Sequence, residues 1–316
     1  MKQYIHVCLV LLWLGTRAQV LAAQDTSFVD TKVTLETKSG NIEGVLSVPV
    51  KGKGMPVALI IAGSGATDRD GNDPVMKRNS LKMLAAALLV RGIATLRYDK
   101  RGIAASAAAG KSEADLRFDD YVNDAKGWIE LLRKDKRFSK VVVIGHSEGS
   151  LIGMIAAKGA DQFVSIAGAG QSADKTIHEQ LMAQPRQVQD LAFPILDSLA
   201  AGQLVKNVHP MLFSLFRPSV QPYMISWFRY DPQAEIRALS IPVLIVQGTS
   251  DIQVGVEDAR RLAAANPGAK LVIIDNMNHV FKVVEGNREA NLKTYSDPVL
   301  PIAPELGKSI SDFILK

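Results

Sequence analysis

Short apolar runs and amphipathic segments alternate along most of the chain. The segment TKVTLETKSGNIEGVLSVPV alternates apolar and polar residues on both sides of a Ser39-Gly40-Asn41 turn, which predicts a β-hairpin ending at Pro49. The next run, MPVALIIAGSG, is continuously apolar and ends in glycines, as is typical of a strand buried on both faces. In SLKMLAAALLVRG, apolar residues recur at i, i+3 and i+4, which predicts a helix that ends at Gly92.

The same alternation continues towards the C terminus. The predicted strands are IATLRYDKRG, VVVIG, QFVSIAGAG, IPVLIVQG and AKLVIIDN, and the predicted helices are FDDYVNDAKGWIELLRKD, SLIGMIAAKG, VEDARRLAAAN and LGKSISDFILK. Strands that alternate with helices favour an α/β fold, a mostly parallel doubly wound sheet preceded by the antiparallel hairpin. Residues 171–240 interrupt this pattern with helical pieces, prolines and clustered aromatics. We interpret them as a helical cap inserted between two strands of the sheet.

The first 23 residues have the pattern of a signal peptide. Lys2 supplies a positive charge, Ile5 to Leu14 form an apolar stretch, and Ala22 and Ala23 stand at plausible cleavage positions. A spanning helix needs about 20 apolar residues, so an uncleaved anchor is the weaker alternative. We expect residues 1–23 to be removed, leaving one domain over 24–316 with its cap at about 171–240. The protein is then secreted or periplasmic.

Composition narrows the classes of partner. The chain has 316 residues, a net charge of +5 and a pI near 9.2, but its Lys and Arg residues are interleaved with Asp and Glu. No basic stripe of the kind that binds nucleic acid results, so we expect no nucleic-acid partner. Cys8 is the only cysteine and lies in the predicted signal peptide. The mature protein is expected to have no disulfide, no cysteine nucleophile and no membrane attachment, and its oligomeric state is left open.

The segment VVVIGHSEGSLIGMIAA, residues 141–157, carries the strongest chemical signal. Ser147 is flanked two residues away by Gly145 and Gly149, between a predicted strand and a predicted helix. This arrangement places a serine on a sharp, strained turn with its Oγ exposed, and side chains at the glycine positions would collide with neighbouring backbone. The helix N-terminus also directs free N–H groups at the reaction site. Ser147 is therefore the predicted nucleophile, with a purely structural turn as the alternative.

A serine nucleophile needs a base, and the base needs a carboxylate. Of the five histidines, His279 alone follows the last predicted strand, whereas His146 is inside the serine turn and is expected to face away from the base position. Asp251 follows the preceding strand directly, with Asp275 and Asp258 as competitors. We predict the order Ser147, Asp251, His279, the chain order of the strand–serine–helix architecture.

Several motifs together resemble a known family. The segments IIAGSG, RYDKRG, GHSEG, GTSD and NH occur in this order over residues 57–281, and the chain resembles an α/β-hydrolase of the carboxylesterase and S33 serine-aminopeptidase-like group. It is most similar there to secreted bacterial proteins that are often acyl or cinnamoyl esterase-like. The resemblance implies an α/β-hydrolase fold and a reaction without cofactor or metal. It also places an oxyanion hole at the backbone N–H groups of Glu148 and Ser64, with Gly65 in reserve, in a loop where many relatives have His-Gly-x.

Other polar features have ordinary structural interpretations. The aspartates of ATDRDGNDP depart from the EF-hand spacing, so a structured loop is favoured over a metal site. In RYDKRG, Asp99 and Arg101 are expected to tie down neighbouring loops. Glu148 is expected to be a solvated or cap-facing carboxylate rather than a second acid or an amine anchor. Five aromatic residues of the cap are expected to form mainly its core: Phe213, Phe216, Trp227, Phe228 and Tyr230.

These features together predict a serine hydrolase that cleaves small-molecule esters with small to medium acyl groups through an acyl-enzyme. The first alternative is a serine aminopeptidase-like enzyme, which needs a cap carboxylate to bind the substrate ammonium. Its candidates are Glu179, Asp190, Asp197 and Asp231. The second alternative is a catalytically dead hydrolase fold that binds a ligand. A strained serine turn argues against it, because strain costs stability.

Overall fold

The structure is a computed structural model that describes residues 27–50 and 54–316. The predicted signal peptide at 1–23 and Cys8 lie outside the described residues. Among the helices that the structure describes, none is long and apolar enough to cross a membrane.

The described strands form a single eight-stranded sheet. They are β1 (Phe28–Thr37), β2 (Gly40–Pro49), β3 (Met55–Ile61), β4 (Ala94–Tyr98), β5 (Phe138–His146), β6 (Gln162–Ile166), β7 (Val243–Gly248) and β8 (Lys270–Ile274). Their order across the sheet is β1-β2-β4-β3-β5-β6-β7-β8. The hairpin pairs antiparallel to itself and to β4, and all other pairs are parallel. The predicted fold class is confirmed.

Helices connect the strands and cover both faces of the sheet. They are α1 (Ser80–Leu89), α2 (Phe118–Lys134), α3 (Glu148–Ala156), α4 (Ala173–Met182), α5 (Arg186–Ala200), α6 (Phe213–Phe216), α7 (Gln221–Phe228), α8 (Pro232–Arg237), α9 (Val256–Ala265), α10 (Arg288–Lys293) and α11 (Pro304–Ile314). Short 3-10 helices lie at Ala104–Ala109, Glu113–Asp115, Ala157–Gly159, Pro210–Leu212 and Thr294–Ser296.

Two apolar cores lie on opposite faces of the sheet because successive strand side chains point to opposite sides. On β3, Leu59 belongs to the core that Trp128 of α2 and Ile152 of α3 complete. Its neighbour Ile60 belongs to the core formed with Leu84 of α1. All of these side chains are essentially inaccessible to water. The apolar runs that lack alternation in the sequence are therefore strands buried on both faces.

The segment between β6 and β7 consists of helices α4 to α8. Phe216 belongs to an apolar cluster built within this segment. Trp227 and Tyr230 instead pack on Phe118 of α2, with ring centroids 6.0 and 5.4 Å apart, so they attach the segment to the body. The prediction of a core position was wrong for Phe213, which is 46% exposed. It starts the one-turn helix α6, where aromatic content alone does not determine which side faces inward.

Candidate active site

The residues selected from the sequence follow different strands but reach one edge of the sheet. Ser64 follows β3, Ser147 follows β5, Asp251 follows β7 and His279 follows β8. These four strands are parallel, so their carboxyl ends meet at the same edge. In open α/β sheets this edge is where ligands bind.

Ser147 occupies the strained turn that its sequence context predicts. Its backbone has φ 54° and ψ −121°, a conformation that residues with a Cβ rarely adopt. The turn packs so closely on β3 that a Cβ at Gly149 would lie 2.5 Å from the carbonyl oxygen of Ile61. Gly63 also passes Ser147 closely, since a Cβ there would lie 3.2 Å from the Ser147 Cβ. The glycines therefore allow two backbone segments to meet directly beneath the serine.

Asp251 and His279 form a buried pair. The Asp251 Oδ2 atom lies 2.8 Å from His279 Nδ1, and the two side chains are 1% and 6% exposed. The other oxygen, Oδ1, accepts the N–H groups of Gln253 and Val254. Burial raises the pKa of the Asp251 carboxyl, but His279 and these two N–H donors outweigh burial and hold the pKa below its ordinary value. An ionised Asp251 that accepts from Nδ1 leaves Nε2 of His279 free to act as a base.

The two competing carboxylates lie elsewhere. Asp258 accepts the N–H groups of Gly170 and Gly255 and so caps α9. Asp275 is exposed at the end of β8. Of the three aspartates considered, Asp251 is the one in contact with His279.

The structure does not join Ser147 to His279 by a hydrogen bond. Among the described residues, the Ser147 backbone N–H donates to Ile166, whereas its hydroxyl has no hydrogen-bond partner. Catalytic hydrogen bonds in free enzymes are often long and tighten only when substrate binds. The nucleophile–base contact therefore stays a prediction.

His146 lies closer to the site than expected. The prediction that it faces away was wrong, because its ring centroid is 4.8 Å from that of His279 and its Nε2 atom lies 2.9 Å from the His279 carbonyl oxygen. Burial, followed by repulsion from His279, lowers the pKa of His146 to about 3. A neutral ring facing a carbonyl must donate from Nε2, which fixes the tautomer. His146 thus contacts His279 and supports its position while remaining uncharged.

A buried amide network supports the loop that carries His279. Asn278 Nδ2 donates to Asn291 Oδ1 at 2.9 Å and to Thr294 Oγ1 at 2.7 Å. Asn291 in turn donates to the carbonyl oxygen of Ser250, next to Asp251. Sequence reasoning missed this network because the partners lie on α10 and at the start of the 3-10 helix that follows it, a segment that carries no recognisable motif. The Asn-His pair in NMNH was the only available signal.

The two N–H groups proposed for the oxyanion hole border the same space. Glu148 is the first residue of α3, so its N–H has no acceptor within the helix. The Ser64 N–H donates to no other backbone carbonyl among the described residues. Both residues line a cavity together with Ser147. This arrangement is compatible with two donors directed at one oxyanion.

The Glu148 side chain is not solvated, contrary to one of the two expectations for it. The residue is 7% exposed, and its carboxylate accepts from Lys100 Nζ at 2.9 Å and from the Tyr223 hydroxyl at 2.6 Å. The second expectation, that it faces the cap, agrees with this contact to α7. Sequence reasoning missed Lys100 because it stands between two charged residues of a turn, where a lysine is ordinarily exposed.

The RYDKRG turn ties loops together as expected. Asp99 accepts the backbone N–H of Arg69 at 2.7 Å and its guanidinium at 2.5 Å. Arg101 forms a buried ion pair with Asp124 of α2.

The aspartates of ATDRDGNDP are engaged within the protein. Asp70 pairs with Arg97, Asp73 pairs with Arg78, and Asp68 accepts two backbone N–H groups of its own loop. Among the described residues, no cluster of three His, Cys, Asp or Glu side chains is arranged to hold a metal ion.

The cavity beside Ser147 has a volume of about 160 Å³. Ser64, Ser147 and Glu148 line it from the body, and α4, α7 and α8 line it from the segment above. Apart from these three residues, the described lining is apolar or neutral: Leu151, Ala169, Gln171, Ala173, Thr176, Ile177, Gln180, Trp227, Pro232, Gln253 and Val254. Among the described residues that line the cavity, Glu148 has the only carboxylate, and that carboxylate is already paired.

Comparisons with known proteins agree with this architecture. The model of the serine aminopeptidase S33 family matches residues 77–223. Esterase EstD of Thermotoga maritima is 26% identical over a 276-residue alignment, and the match covers 82% of this chain and 62% of that protein. The chain thus spans less than two thirds of the length of this curated relative.

Solved structures show the same fold. Est1E from Butyrivibrio proteoclasticus with bound ferulic acid superimposes with a TM-score of 0.62 at 17% identity, covering 90% of this chain and 100% of that one. Esterase Pf2001 of Pyrococcus furiosus gives a TM-score of 0.57 at 17% identity, covering 92% of both chains. The chain therefore has the α/β-hydrolase fold, and it is similar in sequence to the S33 family over residues 77–223 and to an esterase.

Proposed function

We propose that the protein is a serine hydrolase that cleaves carboxylic esters with small to medium acyl groups. The observation that carries the proposal is the buried Asp251–His279 pair, which lies at the same sheet edge as the strained Ser147. Ser147 itself lines a cavity. An esterase among the sequence relatives supports the ester bond as the target. The substrate is a small molecule, and the reaction needs no cofactor or metal.

In the proposed reaction, Ser147 Oγ attacks the ester carbonyl carbon while His279 Nε2 takes the hydroxyl proton. Asp251 holds the imidazole tautomer and stabilises the imidazolium. The N–H groups of Ser64 and Glu148 stabilise the oxyanion of the tetrahedral intermediate. Collapse of this intermediate breaks the bond to the alcohol, which leaves with the proton from His279. Water then attacks the acyl-enzyme by the same steps and frees the acid.

The serine aminopeptidase alternative is favoured by the family match but not by the cavity. An aminopeptidase must bind the substrate ammonium with a free carboxylate, and none of the four cap carboxylates considered for this role lines the cavity. Glu179 and Asp190 are largely exposed, and Asp231 caps α8. Glu148 is occupied by Lys100 and Tyr223. A neutral lining with a paired carboxylate supports a neutral ester.

A catalytically dead binding protein is the third candidate. The backbone strain at Ser147 argues against it, because such strain persists where function requires it. For the predicted signal peptide at residues 1–23, secretion or periplasmic export remains part of the proposal. Mass measurement of the exported protein would test it by locating the mature N terminus.

The proposed activity is tested with p-nitrophenyl acetate, butyrate and octanoate beside an aminoacyl-anilide, with Ser147→Ala as control. Ester hydrolysis that disappears in the variant is the expected result, and the preferred chain length measures the acyl pocket. Anilide hydrolysis alone would favour the aminopeptidase. A wild-type protein that hydrolyses none of these substrates and resists a fluorophosphonate would favour the binding protein.

A further inference from the structure

Lys100 is an unusual lysine because its ammonium group is buried at the active-site edge of the sheet. It follows β4, is 1% exposed and has two oxygen partners. Its Nζ atom donates to the Gly63 carbonyl oxygen at 2.6 Å and to Glu148 Oε2 at 2.9 Å. The ring of Tyr121 lies 4.9 Å from the ammonium and adds a cation–π contact. Buried lysines are rare unless paired, so this placement requires an explanation.

The hydrogen bond from Lys100 to the Gly63 carbonyl oxygen also restrains the Ser64 N–H, one of the two proposed oxyanion donors. The Gly63 carbonyl and the Ser64 N–H belong to one peptide unit, which is planar and trans, so the two groups point in opposite directions. Fixing the carbonyl oxygen on one side therefore fixes the direction of the N–H on the other. The positive charge also polarises the peptide and makes its N–H a stronger donor. Ser64 lines the same cavity as Ser147.

The contact with Glu148 acts on the second proposed donor. The Glu148 carboxylate is held between Lys100 and the hydroxyl of Tyr223 on α7. Burial, together with the charge of Glu148, raises the pKa of Tyr223 well above its ordinary value, so this hydroxyl remains a donor. The side chain of Glu148 is thus restrained, and the backbone N–H of the same residue, at the start of α3, is the second proposed donor. One ammonium group connects the residues that provide both donors.

We propose that Lys100 is the positioning residue of the oxyanion hole: it aligns the Gly63–Ser64 peptide and restrains Glu148 through one buried ammonium group. The residue before Gly63 is Ala62, whose side chain has no polar group that could hold this peptide, so the restraint comes from Lys100. Tyr223 extends the same restraint to the helical segment above the cavity. The inference rests on the proposed serine hydrolase function, because it assigns Lys100 a role in that reaction.

Two variants distinguish between two roles of Lys100, namely positioning the oxyanion donors and neutralising the charge of Glu148. Lys100→Met removes the ammonium with little change in side-chain length but leaves Glu148 unpaired. The double variant Lys100→Met with Glu148→Gln removes both charges and keeps the Glu148 backbone N–H. Lys111→Met is the matched control, because Lys111 pairs with Asp120 at the surface and contacts neither donor.

The measurements are kcat and KM for the preferred p-nitrophenyl ester and the inhibition constant of a trifluoromethyl ketone, whose serine adduct carries an oxyanion. Removing an oxyanion donor outright costs on the order of 10²–10³-fold in kcat, so misaligning one is expected to lower kcat by about 10- to 100-fold. KM should change little, and the inhibition constant should rise in parallel with the loss in kcat. The double variant should remain impaired and Lys111→Met should match wild type.

The outcomes are decisive in each direction. A double variant with wild-type kcat would overturn the proposal, because Lys100 would then only neutralise Glu148. Equal losses for the substrate and for the ketone support alignment, whereas a fall in kcat without weaker ketone binding contradicts it. If Lys100→Met alone fails to fold, the double variant decides by the same criteria. A wild-type protein that neither hydrolyses esters nor reacts with a fluorophosphonate would instead refute the proposed function.

Discussion

The two sides of Ser147 are held in place by different kinds of interaction. On the base side, His279 is supported by the neutral ring of His146, by the buried amide of Asn278 and by the carboxylate of Asp251. On the oxyanion side, the supporting interaction is a buried ion pair, Lys100 with Glu148.

The difference corresponds to what each side must do in the proposed reaction. The base gains and loses a proton, so a neutral support avoids opposing its change of charge. The oxyanion donors are backbone dipoles that must stay fixed while charge develops in front of them. An ion pair suits that task, because its electrostatic energy is larger in a buried site than in water.

The largest effect is expected when the negative charge of Asp251, next to His279, is removed. Asp251→Asn should lower kcat by on the order of 10³-fold or more, because an asparagine can hold His279 in the wrong tautomer. Steady-state kinetics with a p-nitrophenyl ester measures this loss. Asp258→Asn, which alters a helix cap instead, should retain wild-type kcat. Similar losses in both variants would contradict the assignment.

The second largest effect is expected at Gly149, which lets the serine turn pack against the end of β3. In Gly149→Ala the new Cβ would lie 2.5 Å from the Ile61 carbonyl oxygen, so overpacking should lower the free energy of unfolding by about 3 kcal/mol. Gly159→Ala, where the nearest atom would be 3.6 Å away, should stay within about 0.5 kcal/mol of wild type. Urea denaturation measures both. Equal stability of the two variants would show that the turn can relax.

Because His146 is buried in its neutral form, we expect the stability of the protein to depend on pH. The pKa of His146 is about 3 in the folded state and about 6.5 in the unfolded chain. Between these values the unfolded state binds more protons, so this histidine should lower stability as pH falls, by up to about 1.4 kcal/mol per pH unit. His146→Gln should give a flatter profile from pH 7 to pH 4 in urea unfolding. An unchanged slope in the variant would show that the ring is protonated when folded.

The smallest effect is expected farther from Ser147, where the helical segment is anchored. Glu113 binds Arg217 and Ser219, and the hydrogen bond from Arg217 holds the pKa of its carboxyl below the ordinary value. Because the pair is more than a third exposed, Glu113→Gln should destabilise the protein by only about 0.5 kcal/mol. We expect kcat to remain unchanged. A large fall in kcat would mean that this anchor controls the cavity.

Physical reasons explain why the sequence alone predicts the sheet and the position of the candidate residues at the ends of its strands. Strands buried on both faces need continuous apolar runs, and the serine turn needs glycines at two fixed positions. Residues at the carboxyl ends of parallel strands must then meet, so Asp251 and His279 could be paired without coordinates. The signal-peptide prediction concerns residues outside the described part of the chain and stays a prediction.

The residues that support the site could not be found in this way. Lys100, His146 and Asn291 act through contacts between segments far apart in the chain, and no local pattern reports such contacts. Phe213 shows the same limit, since an aromatic residue in a one-turn helix can face either way. Local periodicity determines which face of a long element is buried. The supporting residues lie instead on a turn, at the last position of a strand and on a short helix.

Covalent labelling can show whether Ser147 is the nucleophile. A fluorophosphonate should react at one site per chain, and fragmentation of the peptide spanning residues 141–158 should place the label on Ser147. Ser150 in the same peptide is an internal control, because it is fully buried and bonded to Ser165. Labelling that is lost in Ser147→Ala is the predicted result. Labelling at another residue, or no labelling of the folded wild-type protein, would show that Ser147 is not the nucleophile.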